Sequence, residues 1–168
     1  LLLAGLGLPG RSALRGVRDV PGTALALLRH FGAELEVTAE TAGTTLAVGG
    51  LPRLGARTLA VAGDPDVAAL AMVAALTVPE ADVVIENVPL GKPRRGVLDT
   101  LLEMGGAIET VERRHAGGED VADLRVRHSP LLGTGVGAAG LTPSGIAPLA
   151  VAAAFAAGET QISRFGFA

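Results

Sequence analysis

The chain has 168 residues and a formal net charge of −3, which is length enough for one average domain or two small ones with a real core. Too little positive charge is present to make nucleic acid the main partner, since phosphate binding needs a basic face. With no cysteine the chain has no disulfide, no thiolate metal ligand and no Cys nucleophile, and three scattered histidines, His30, His115 and His128, do not make a zinc cluster.

The only aromatic residues are four Phe, so the core must be aliphatic and built from small side chains. The apolar start at 1–8 lacks a preceding Met or basic region and reads as the end of a helix rather than a signal peptide, followed by a strand up to residue 17. Asp19 then caps a helix with Pro21 in its first turn, Leu25, Leu28 and Phe31 on one face and Gly32 at its end. Strands 35–39 and 44–48 follow as a hairpin. The stretch 51–66 is rich in Pro, Gly and polar residues, with a short strand at 58–62, and places a domain boundary near Gly63, dividing the chain into 1–62 and 63–168.

Asp64 and Pro65 have the order of an N-cap and first helical residue, ahead of the apolar run 67–78. A strand "VVIENV" (83–88), a helix near 95–104 closing at Gly105-Gly106, and strands 108–112 and 121–127 come next. The loop "HSPLLGT" then leads towards a last helix over 146–157. Both apolar runs are shorter than the ~20 residues a membrane-spanning helix needs. No membrane partner and a cytoplasmic location are expected.

The chain repeats itself. Leu28, Phe31, Gly32, Leu35 and Glu36 recur as Leu101, Met104, Gly105, Ile108 and Glu109 at a constant spacing of 73 residues, 1–17 aligns without gaps on 72–88, and 153–165 begins a third copy. One supersecondary unit is therefore used repeatedly. Its helix–strand alternation gives an α/β class with sheets at least partly parallel.

Several stretches could carry chemistry. Gly135-x-Gly137-x-x-Gly140 resembles a dinucleotide-binding turn, but no strand leads directly into it and Glu159 precedes its strand, so a nucleotide cradle is not expected. Thr142 or Ser144 in "TPSG" reads as a plain helix cap before an anion site. Asp64 and Asp66 could hold a cation, but nothing in the sequence converges on them. Lys92, Arg94 and Arg95 in "GKPRRG" could grip a phosphate or carboxylate through bidentate contacts, although a solvated basic turn is the commoner case. Val121, Asp123, Arg125 and Arg127 alternate as in a strand with one wet, ion-paired face. Arg18 and Asp19, at a strand end and a helix start, could be structural or point into a cleft.

"RDV" before the helix ending in "FGAELEV", then "VAGDPDVAALAMVAALTV", "VVIENVPLGKPRRGVLDTLLEMGGAIE" and "AGGEDVADLRVR" together resemble the central part of bacterial EPSP synthase, the 3-phosphoshikimate 1-carboxyvinyltransferase family. The resemblance implies an α/β fold of repeated βαβαββ units arranged as an inside-out barrel, incomplete in this chain. Residues 1–62 would be the C-terminal part of one barrel domain and 63–168 the first one and a half units of the second. It implies transfer of the enolpyruvyl group of phosphoenolpyruvate to shikimate 3-phosphate, on the route to chorismate and aromatic amino acids, with no metal or organic cofactor.

Carried over by position, Arg18 matches the arginine that contacts shikimate 3-phosphate in the family's Arg-Asp-His-Thr-Glu stretch, while Val20, Pro21 and Gly22 depart from that stretch. Arg94 matches an arginine of Asn-Pro-Thr-Arg-Thr-Gly to which no catalytic role is assigned. "GDPD" keeps Gly63, Asp64 and Pro65 but not the serine pair that follows in the family. The family's catalytic Asp position falls at about Ser144, so no catalytic residue is assigned, and the Lys-Glu-Ser-Asp-Arg motif is missing. The chain is accordingly expected to be incomplete and inactive alone, and its uncovered apolar faces imply self-association. Two rival readings stand beside this one: a non-catalytic binding or assembly module with the same fold, and a relative of the UDP-N-acetylglucosamine enolpyruvyl transferases.

Overall fold

The computed structural model describes residues 1–18, 20, 22–91, 95–137 and 141–163. The expected cap at Asp19 with Pro21, the basic residues Lys92 and Arg94, and Gly140 lie outside the described residues. The chain divides into two compact units, Leu1–Ala60 and Val61–Ala168.

In the first unit a short helix α1 (Leu2–Leu6) leads into β1 (Arg11–Val17), helix α2 (Gly22–His30) and the hairpin of β2 (Leu35–Glu40) and β3 (Gly43–Gly49). The second repeats the order at greater length, with α3 (Pro65–Thr77), β4 (Asp82–Pro89), α4 (Gly96–Glu103), β5 (Ala107–Ala116) and β6 (Glu119–Arg127). It continues into β7 (Gly135–Gly137), α5 (Ile146–Phe155) and β8 (Gln161–Ser163).

The expectation of parallel pairing holds only in part. Both three-stranded sheets, β1-β3-β2 and β4-β6-β5, are antiparallel throughout, and the parallel pairing among the described residues is that of β7 with β8 and a bridge from Leu132 to Ala157. The reason is the hairpin. Each helix crossover, β1-α2-β2 or β4-α4-β5, returns a strand in the same direction as the first, but the next strand folds back between the two and takes both sets of hydrogen bonds.

The repeat extends to backbone detail. Gly32 (φ +98°) and Gly105 (φ +84°) follow α2 and α4 in the left-handed region. The next amides reach back in the same way, Ala33 N–H to the Leu28 carbonyl and Gly106 N–H to the Leu101 carbonyl, both at 2.9 Å. This closure satisfies carbonyls that a helix end otherwise leaves without partners. A bulge also recurs, between Leu14 and Val17 in β1 and between Ile85 and Val88 in β4. Its left-handed residue is Gly16 (φ +69°) in one copy and Asn87 (φ +58°) in the other, the two residue types that bear that conformation most easily.

Other elements differ from the sequence reading. Strands β5 and β6 run on to Ala116 and from Glu119 because Gly117 (φ +62°) and Gly118 (φ +81°) make the tight two-residue turn that suits a twisted hairpin. Residues 58–62 form no strand, and no ladder to them occurs among the described residues. Gly135 and Gly137, for which no strand was expected, belong to the short strand β7.

The core of the second unit consists of small and aliphatic side chains from α3, α4, α5 and the inner face of β6, among them Ala69, Met72, Leu76, Leu101, Ala122, Leu124, Leu149 and Ala152. Leu25, Leu46, Ala47 and Val48 are buried in the first. Among the described residues no helix is long and apolar enough to cross a membrane.

Candidate functional site

Two helix starts meet in the second unit. Asp64 precedes Pro65 with extended backbone, and its carboxylate accepts hydrogen bonds from the amides of Asp66 (2.8 Å) and Val67 (3.2 Å), an N-cap that ties down two otherwise unpaired donors. Capping orients the first turn so that the Asp66 side chain leaves it towards the segment ahead of α5. There Thr142 Oγ1 accepts from Gly145 N–H at 3.2 Å and so caps the 3₁₀ turn 143–145.

The Asp66 carboxylate joins the two. Thr142 Oγ1 donates to one of its oxygens at 3.1 Å and Ser144 Oγ to the other at 2.5 Å, with a further 3.0 Å contact between the two hydroxyls. Sequence reasoning found nothing converging on Asp64 and Asp66 and treated "TPSG" separately. The repeat held the missing signal, because α3 and α5 open successive copies of one unit and equivalent helix starts stand side by side.

Arg18 follows β1 in the first unit, exposed and without an ion-pair partner among the described residues. A cation left unpaired at a strand end is available to an anionic ligand, whereas a paired one must first give up its partner. Arg95 behaves differently from a solvated basic turn, since its Nε donates to Asp99 at 2.6 Å one helical turn on.

The outer face of β4-β6-β5 carries the ion pairs the alternation predicts. Arg125 grips Asp82 with two donors at 2.7 and 2.5 Å, and Arg127 pairs with Glu109. The Arg125 hydrogen bond holds the Asp82 carboxyl below its ordinary value of 3.8. Asp123 belongs to a tighter group. Both its oxygens accept from Arg114 (2.7 and 2.8 Å), one also accepts the Asn87 amide (2.8 Å), and Arg114 donates again to the Asn87 side chain (2.7 Å). The Arg114 hydrogen bond, with that of the Asn87 amide behind it, lowers the Asp123 carboxyl, and Asp123 in turn raises the Arg114 guanidinium. Neither Asn87 nor Arg114 was singled out from the sequence, because the bulge that turns the Asn87 amide towards Asp123 leaves no mark in the alternation.

No cluster of three or more His, Asp or Glu that could hold a metal ion occurs among the described residues. Gly135 and Gly137 lie in a strand rather than at a strand-to-helix turn, so they are not arranged as a dinucleotide cradle.

The family model for EPSP synthase (3-phosphoshikimate 1-carboxyvinyltransferase) matches residues 1–166. The chain belongs to the EPSP synthase family. Among curated relatives of that name, the protein from Mesorhizobium japonicum is 46% identical, with 95% of this chain and 36% of that protein covered. The one from Chelativorans sp. is 44% identical at the same shares. The chain thus spans little more than a third of the length of the relatives it matches. Among solved structures, EPSP synthase from Acinetobacter baumannii superposes with a TM-score of 0.81 at 30% identity, covering 96% of this chain and 37% of that one. The enolpyruvyl transferase NikO from Streptomyces tendae shares the fold, with a TM-score of 0.64 at 18% identity over 99% of this chain and 39% of that one. The EPSP synthase fold accounts for the repeated helix–strand order and for sheets that remain open within this chain.

Proposed function

We propose that this chain forms part of an enzyme that transfers the enolpyruvyl group of phosphoenolpyruvate to shikimate 3-phosphate, in the cytoplasm, with the two compact units belonging to two barrel domains. The observation that carries this reading is the family match along almost the whole chain, joined to 46% identity with a protein of that activity. In the addition–elimination that the resemblance implies, the substrate hydroxyl adds to C2 of phosphoenolpyruvate while a proton goes to C3. Loss of phosphate and of a C3 proton then regenerates the enol ether.

Both substrates are anions, so cationic side chains must hold them and an acid–base group must move the proton. Arg18, exposed and without an ion-pair partner among the described residues, is the cation we assign to shikimate 3-phosphate. The proton-handling acid has no counterpart at Ser144, whose hydroxyl is engaged by Asp66 and Thr142. The chain alone therefore binds without turning over. Purified protein mixed with both substrates should release no phosphate above the uncatalysed background in a coupled colorimetric assay, and sustained release would refute that part of the reading.

A second reading, a binding or assembly module with the same fold, draws on the same junction, because Asp66, Thr142 and Ser144 satisfy one another as a structural latch would. Self-association fits either reading. Val67 and Leu70 on α3 are 64% and 57% exposed, and Val151 and Phe155 on α5 are 48% and 63% exposed, so helices that are apolar all round leave one face in water.

A further inference from the structure

A cleft of about 420 Å³ opens in the second unit, lined by Leu90, Arg95, Arg113, Arg114, Asp120 and Val121. Three parts of the chain build it: the end of β4, where Leu90 N–H donates to the Asp120 carbonyl at 2.9 Å, the residue before α4, and the β5–β6 hairpin. Three arginines line it, and they are held differently. Arg114 is fixed by Asp123 and Asn87. Arg95 is held through Nε by Asp99, leaving its terminal nitrogens without a partner among the described residues. Arg113 is exposed and has neither hydrogen bond nor ion pair among the described residues.

Asp99 and Asp123 orient two of the arginines, and the third has no acid partner among the described residues. Asp120, the acid in the lining, is turned to His115 Nδ1 at 3.1 Å and is 84% exposed, so water and salt screen its repulsion. We propose that this cleft is an anion-binding site for a small phosphate-bearing molecule, gripped by Arg113 and the free end of Arg95. A guanidinium fork matches two phosphate oxygens at once, and Arg95, already held through Nε by Asp99, loses little freedom on binding.

The test is a titration of the 168-residue chain with inorganic phosphate at constant ionic strength, followed by ¹⁵N NMR. Saturable shifts should centre on Leu90, Arg95 and residues 113–121, and Arg113→Ala should weaken binding by about tenfold or more. Arg113→Lys should retain part of the affinity as a point charge. Arg57→Ala, at an exposed position in the first unit, should change nothing. Because Arg113 is exposed and has no partner among the described residues, its variants should keep the wild-type backbone spectrum. Shifts that never saturate, shifts spread evenly over the surface, or unchanged affinity in Arg113→Ala would each overturn the proposal.

Discussion

Asn87 concentrates three demands on one residue: a left-handed backbone, an amide aimed at Asp123 and a side-chain oxygen for Arg114. Asn87→Gly should keep the conformation and lose one hydrogen bond, whereas Asn87→Val should also force a β-branched residue into the left-handed region, a further cost of about 1–2 kcal/mol. Denaturant melts should therefore rank the valine variant below the glycine variant, and equal midpoints would contradict the account of the bulge. The carboxylates on the same sheet predict a pH dependence. Asp82 and Asp123 both titrate below 3.8 when folded, so the stability they contribute is complete above that value and is lost as pH falls through their lowered folded values. Asp123→Asn should flatten the acid limb of a plot of melting temperature against pH and lower the melting temperature at neutral pH by a few degrees.

The elements show how much of the fold the sequence made legible. Helix ends were readable because their residues act locally: Asp64 with Pro65 opens α3 and Gly32 and Gly105 close their helices by conformations that few other residues adopt. Strand existence was readable from alternation in β1 to β6, but not in the three-residue β7. Strand order was not, since the place of β3 between β1 and β2 depends on hydrogen bonds between segments far apart in the chain. The residues 58–62 show the same limit from the other side, with a strand-like pattern that finds no neighbour. At the candidate site, the cap at Thr142 was legible and its bond to Asp66 was not, because it joins residues 76 apart. Close packing at the helix ends is itself testable. A Cβ on Gly106 would sit 2.7 Å from the Leu101 carbonyl oxygen, the acceptor of the closing hydrogen bond. Gly106→Ala should cost roughly 1–3 kcal/mol in denaturant titrations.

At the scale of the whole molecule, two units with open sheets and apolar helix faces describe a chain that carries part of the EPSP synthase architecture. Light scattering should show association that grows with concentration, and Phe155→Glu should shift it towards the monomer by charging an exposed face of α5. An unchanged distribution in that variant would place the contact elsewhere. On the proposed function, Arg18 of the first unit contributes to binding shikimate 3-phosphate. Isothermal calorimetry with that ligand tests it most directly, run in an Arg113→Ala background so that the arginine cleft does not add its own heat. The account predicts saturable binding that Arg18→Ala removes; no binding, or binding that survives Arg18→Ala undiminished, would contradict it.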